Sequence, residues 1–188
     1  MRCFIAIDID ETIRKGLGNL QDELRKKVDI RKGDVKWVRP DVTHLTLKFL
    51  GEIRDEQVVE VCNVTRDVAS RHERFDLDIE SAGYFGGRSA RVLWIGAGQG
   101  SDRLLQLQED LEWQLDLAGW PKDARKFSAH LTLCRIRNSK AGIILGQISR
   151  QYQDYKLGTM PAREVSVYQS ELTPQGAIYT TLGNYPLL

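Results

Sequence analysis

The chain has 188 residues, 41% of them hydrophobic, which suffices for one compact domain or two small lobes sharing a core and argues against disorder. Lys plus Arg total 27 against 26 Asp plus Glu, so the net charge of +1 excludes a global drive toward nucleic acid or membrane, and any polyanion site must be local. Cys3, Cys62 and Cys134 are odd in number and form no Cys-x-x-Cys pair, which argues against a disulfide framework or structural zinc and favours a reduced, cytoplasmic setting. The opening run from Met1 to Asp8 is too short and too soon acidic for a signal peptide. No later stretch approaches membrane-spanning length, so no membrane association is expected.

Residues 4–8 read as a buried first strand, and 11–28, with Ile13, Leu17, Leu20, Leu24 and Val28 at three- and four-residue spacing, as an amphipathic helix. Residues 35–38 and 43–50 look like strands separated by Pro40, and Gly51 ends the second before a helix over 55–71. A strand over 75–80, a turn-rich stretch at 83–87, a strand over 91–97 and a long helix over 102–117 follow. A strand over 129–136, a weaker helix over 141–152, and a hairpin of 164–172 with 178–182 around Pro174-Gln175-Gly176 complete the chain. No low-complexity linker divides these elements. The expectation is a single domain over 1–188 built of two related lobes, with the chain crossing between them.

The tetrapeptide His-Leu-Thr-Leu occurs twice, at 44–47 and 130–133, 86 residues apart, in a chain with three histidines in all. An unperturbed histidine titrates at about 6.5, so two in equivalent frames suit an acid and a base. In a strand, the period of two puts His and Thr on one face and both leucines on the other. His44 and Thr46 with His130 and Thr132 would then line one cleft, where the hydroxyls donate to phosphoryl oxygens and the imidazoles move protons without a metal. A lone His-x-Thr is usually an ordinary polar strand face, and an old structural duplication is the plain alternative to catalysis.

Lys48 keeps parity with His44 and Thr46 and would face the same cleft, there to hold a phosphate or a backbone oxygen, its plainer role being a solvated strand end. Arg135 lies five residues past His130, off parity unless the strand bulges or ends, and is a candidate for a bidentate phosphate contact. Lys122, Arg125, Lys126, Arg137 and Lys140 concentrate positive charge around the second motif, although such runs are commonly solvated faces. Trp37, Phe85 and Trp120 are candidates for base stacking, with core packing the commoner job. His72, between Arg71 and Glu73, is expected on the surface and silent.

With both motifs in view, the chain resembles the two-histidine (2H) phosphoesterase superfamily, and within it the RNA 2′,3′-cyclic phosphodiesterases also described as 2′-5′ RNA ligases. The likeness runs through Phe4-Ile5-Ala6-Ile7-Asp8, then Trp37-Val38-Arg39-Pro40 leading into His44-Leu45-Thr46-Leu47-Lys48-Phe49-Leu50-Gly51. It continues through Arg91-Val92-Leu93-Trp94, Ala129-His130-Leu131-Thr132-Leu133-Cys134-Arg135 and a tail from Ser170 to Tyr179. The resemblance implies an α+β bilobal fold: two antiparallel sheets facing across a central groove, helices on the outside, one motif on each wall, and no cofactor or metal. It implies His44 as proton donor and His130 as proton acceptor, with Thr46, Thr132 and Arg135 binding substrate, Arg135 at a basic position often found after the second motif. The implied substrates are RNA ends or nucleotides carrying a 2′,3′-cyclic phosphate, tRNA fragments among them, opened by a monomer to 2′-phosphates, with weak 2′-5′ ligation as the reverse reaction. One departure is the stretch 84–88, which lacks the proline associated with that region. Two other readings stay open. One is a catalytically idle module that captures phosphorylated RNA ends; the other is a metal-dependent hydrolase ligated by His44 and His130, for which no His-x-His or His-Glu-x-x-His arrangement supplies partners.

Overall fold

Two antiparallel sheets organise the computed structural model, which describes residues 1–31, 33–174 and 176–188. One sheet joins β1 (Arg2–Asp8), β3 (His44–Glu52), β8 (Glu164–Thr173) and β9 (Gly176–Pro186) in the order β3-β1-β8-β9. The other joins β2 (Val35–Trp37), β4 (Phe75–Gly86), β5 (Ala90–Ala97), β6 (His130–Ile136) and β7 (Lys156–Ala162) in the order β2-β6-β5-β4-β7. Each motif strand has an equivalent neighbour, β1 beside β3 and β5 beside β6. The turn of the closing hairpin includes Gln175, which lies outside the described residues.

Among the described residues, four α-helices cover the apolar faces. Asp10 caps α1 (Glu11–Lys27) by accepting from the Ile13 amide at 2.8 Å, and Arg25, Lys26 and Lys27 meet the negative end of its dipole. Its stripe of Ile13, Leu17, Leu20 and Leu24 is fully buried, with α1 lying along β7. The helix α2 (Asp55–Ala69) packs on β8 and β9, α3 (Ser101–Leu117) on α2 and β3, and α4 (Ser139–Ser149) on β5, its first amides capped by Asn138. Ile5, Ile7, Leu45 and Leu47 from one sheet and Leu93, Ile95, Leu131 and Leu133 from the other anchor this core. At about 1.5 to 3 kcal/mol for each such side chain, the motif leucines hold both motif strands rigidly beneath their polar residues.

Two elements differ from the sequence reading. The strand β7 is not legible there because Gly158 and Pro161 break its pattern; as the sheet's edge strand it tolerates a proline that an interior strand would not. The stretch 83–87, expected as a turn, instead extends β4 through Gly86. Ser81, at φ +64°, is the extra residue of a bulge between Glu80 and Ala82 that reverses the parity of the rest of the strand and turns Phe85 away from the core. Gly83 is small because the Trp94 indole lies against it: a Cβ there would sit 2.4 Å from the ring.

Candidate active site

The two motif strands share a residue-by-residue burial pattern, half-buried His, buried Leu, half-buried Thr, buried Leu, another buried residue, then an exposed one. A bulge in each produces it. Against β1, register slips so that Leu47 is extra between Thr46 and Lys48; against β5, Leu133 is extra between Thr132 and Cys134. Parity reverses at each slip. His130, Thr132 and Arg135 therefore come to one face, the bulge being one of the two ways, with a strand end, that the sequence left open for Arg135.

The same slip overturns the placement of Lys48. Instead of lining the cleft, Lys48 is 3% exposed on the core side, where its ammonium reaches Glu112 at 3.0 Å and the Pro121 carbonyl at 2.9 Å, with Asp123 at 3.5 Å. Phe49, the counterpart of Arg135, takes the outward position at 60% exposure and packs beside Phe4, centroids 5.9 Å apart.

A buried glutamine reaches the carbonyl of the extra residue in each bulge, and at Leu133 it joins the Val38 amide, which donates to the same oxygen at 3.0 Å. Gln21 of α1 donates to Leu133 O at 2.9 Å and Val38 O at 2.7 Å, and Gln108 of α3 to Leu47 O at 3.5 Å. Each helix serves the sheet it does not follow: α1 leaves β1 yet supports β6, and α3 leaves β5 yet supports β3.

The histidine environments differ. His130 gives its Nδ1 hydrogen to the Ser128 carbonyl at 2.7 Å, which leaves the Nε2 lone pair open. Phe85 meets that ring edge-on at 4.9 Å and Trp94 lies 6.2 Å away. Burial holds the His130 pKa below the ordinary imidazole value; the Ser128 carbonyl opposes this in part, and the positive charge of Arg135 adds to it. His44 packs among Tyr168, Tyr179 and Phe4, at 4.6, 5.2 and 5.8 Å between centroids, and its Nε2 lies 3.2 Å from Asp8 Oδ1. Arg135 also acts on Tyr179, so its charge is felt on both walls.

Thr46 and Thr132 are half-buried beside their histidines. Trp120 is core, and Trp37 sits under the Arg25 guanidinium at 4.8 Å, so of the three aromatic candidates only Phe85 belongs to this site. Lys122 rests on the Trp113 ring at 4.1 Å, while Arg125 and Lys126 are exposed in the segment leading to His130. His72 is half-buried rather than exposed, its Nε2 3.0 Å from Asp110. Burial pushes the Cys134 thiol up to about 12, so it offers no nucleophile at neutral pH. Among the described residues no group of three or more His, Cys, Asp or Glu is arranged to hold a metal ion, and no helix is long and apolar enough to cross a membrane. Sequence reasoning misses Asp8, Phe49, Tyr168, Tyr179, Gln21 and Gln108 as site residues; Phe49 alone leaves a signal, its five-residue offset from His44 matching that of Arg135 from His130.

A family model described as LigT like Phosphoesterase matches the chain twice, over 7–94 and 95–179, once around each motif. The chain belongs to this family. It is similar to the RNA 2′,3′-cyclic phosphodiesterases of Methanothermobacter thermautotrophicus, 34% identical over 97% of this chain and 96% of that one, and Archaeoglobus fulgidus, 32% identical over 97% and 98%. The family fold is also that of E. coli LigT in its crystal structure complexed with 3′-AMP, with a TM-score of 0.79 at 27% identity over 99% and 97% of the two chains.

Proposed function

We propose that this protein is an RNA 2′,3′-cyclic phosphodiesterase that opens cyclic phosphate ends to 2′-phosphomonoesters. The observation that carries the reading is the pair of histidines in duplicate bulged strands with opposite partners, a neutral carbonyl at His130 and a carboxylate at His44. His130, held neutral by its burial, takes a proton through Nε2 from a water attacking phosphorus in line. The bond from phosphorus to the 3′ oxygen breaks, and His44 supplies the proton that oxygen needs. Thr46 and Thr132 hold the non-bridging oxygens, and Arg135 balances their charge from β6. With a 5′-hydroxyl in place of water, the same site joins two ends through a 2′-5′ linkage. In this reading the substrates are RNA ends, tRNA fragments among them, the working unit is a monomer, and the free thiols suit the reduced cytoplasm.

The test is incubation with a 2′,3′-cyclic nucleotide in excess chelator, with chromatography of the products. The reading requires conversion to the 2′-phosphate. A 3′-phosphate product would overturn the regiochemistry, dependence on added zinc or manganese would support the metal hydrolase, and tight capture without turnover would support the binding module.

A further inference from the structure

Asp8 stands directly opposite His44 in the β1–β3 pairing, which sets its carboxylate at Nε2. A carboxylate only accepts, so Nε2 carries the hydrogen in that contact and Nδ1 is the nitrogen left for substrate. Tyr168 of β8 donates its hydroxyl to both carboxylate oxygens, at 2.6 and 2.8 Å, and fixes the plane of the group. The other wall uses the opposite nitrogens, since His130 spends Nδ1 on Ser128 and keeps Nε2 open.

Resting on the cyclic phosphodiesterase reading, we propose that Asp8, steadied by Tyr168, is a positioning residue that presents the Nδ1 hydrogen of His44 to the departing 3′ oxygen. As the bond from phosphorus to that oxygen breaks, the Nδ1 proton moves to it, while the Nε2 hydrogen stays on Asp8. The imidazole thus ends as the neutral tautomer without turning. Burial tends to raise the Asp8 pKa, but the bonds from His44 and Tyr168 and the charges of His44 and Arg14 outweigh it and keep the carboxyl ionised. Burial and the Asp8 charge push Tyr168 well up, so it remains a donor. The titratable groups facing His44 are Asp8 from β1, Tyr168 from β8 and Tyr179 from β9, with Arg14 acting on Asp8 and Arg135 on Tyr179.

The experiment compares native protein with Asp8→Asn and Tyr168→Phe on a 2′,3′-cyclic nucleotide across pH. Asp8→Asn keeps the shape and removes the charge, so kcat is expected to fall about tenfold with KM little changed. The alkaline limb should move to lower pH and the acid limb should stay. Tyr168→Phe should move the same limb by less. With a 3′-sulfur leaving group, which departs without a proton, the deficit of Asp8→Asn should largely vanish. An unmoved alkaline limb, or an equal deficit on the sulfur substrate, would overturn the proposal. Imidazole nitrogen-15 shifts of the native protein give a check independent of any variant's folding: neutral His44 is expected to be protonated at Nε2 and His130 at Nδ1, and the reverse for His44 would refute the assignment. If native protein leaves the cyclic nucleotide untouched, the parent reading fails; if native protein turns over and Asp8→Asn matches it, only the positioning role fails.

Discussion

Replacing Lys48 by methionine separates structure from substrate binding at the one position where parity and register disagree. Its ammonium is buried with Glu112 at 3.0 Å, and Glu112 also accepts from the Asp123 amide at 3.2 Å, so the pair ties the segment before His130 to β3. Lys48→Met strands the Glu112 carboxylate away from solvent, and removing one member of a buried pair costs about 3 to 5 kcal/mol. At about 2 to 4 °C per kcal/mol for a domain of this size, melting should drop by about 6 to 20 °C. The double change Lys48→Met with Glu112→Leu removes both charges and should recover most of that loss. Thermal unfolding of the four proteins of this cycle, with kcat/KM on a cyclic nucleotide measured well below each melting point, is the assay. Native stability together with a raised KM in Lys48→Met would refute the buried assignment and return Lys48 to the cleft.

Thr46→Val and Thr132→Val keep strand shape and delete the hydroxyl, so each should reduce kcat by about a hundredfold or more if it holds a phosphoryl oxygen; near-native kinetics in both would assign them to structure. Arg135→Gln removes a charge that helps hold the His130 pKa down, so the acid limb of kcat/KM should move up toward the ordinary value of about 6.5, while an unmoved limb would deny the coupling. Gln21→Leu leaves the Val38 carbonyl without its glutamine donor and weakens support of the β6 bulge, so stability should fall by about 1 to 3 kcal/mol in denaturant titration, with a larger loss of activity than an equally destabilising core truncation.

Much of this site was legible in the sequence because it lies in a local repeat. The period of two correctly put His44, Thr46, His130 and Thr132 on the polar faces and their leucines beneath. Parity failed beyond the fourth residue, since a bulge is decided by the neighbouring strand and by a glutamine from a distant helix, neither of which is adjacent in sequence. That one cause misplaced Lys48, left Arg135 ambiguous and hid Phe49. Asp8 and Tyr168 escaped for a related reason: their meeting with His44 depends on the order β3-β1-β8, and a non-local strand order is not written in hydrophobic periodicity. The glycines of 83–87 suggested a turn, whereas Gly83 serves a close approach of Trp94.

The most direct test of the paired-histidine account is the pH dependence of kcat/KM for a 2′,3′-cyclic nucleotide in chelator, with native protein, His44→Ala, His130→Ala and His72→Ala side by side. The account predicts a bell for the native protein and for His72→Ala, its limbs belonging to the coupled pair, and losses of about a hundred- to ten-thousand-fold in each motif variant. The residual activity of His130→Ala should lack the acid limb and that of His44→Ala the alkaline one. A single-limbed native profile, or a fall in His72→Ala as deep as in the other two, would contradict it.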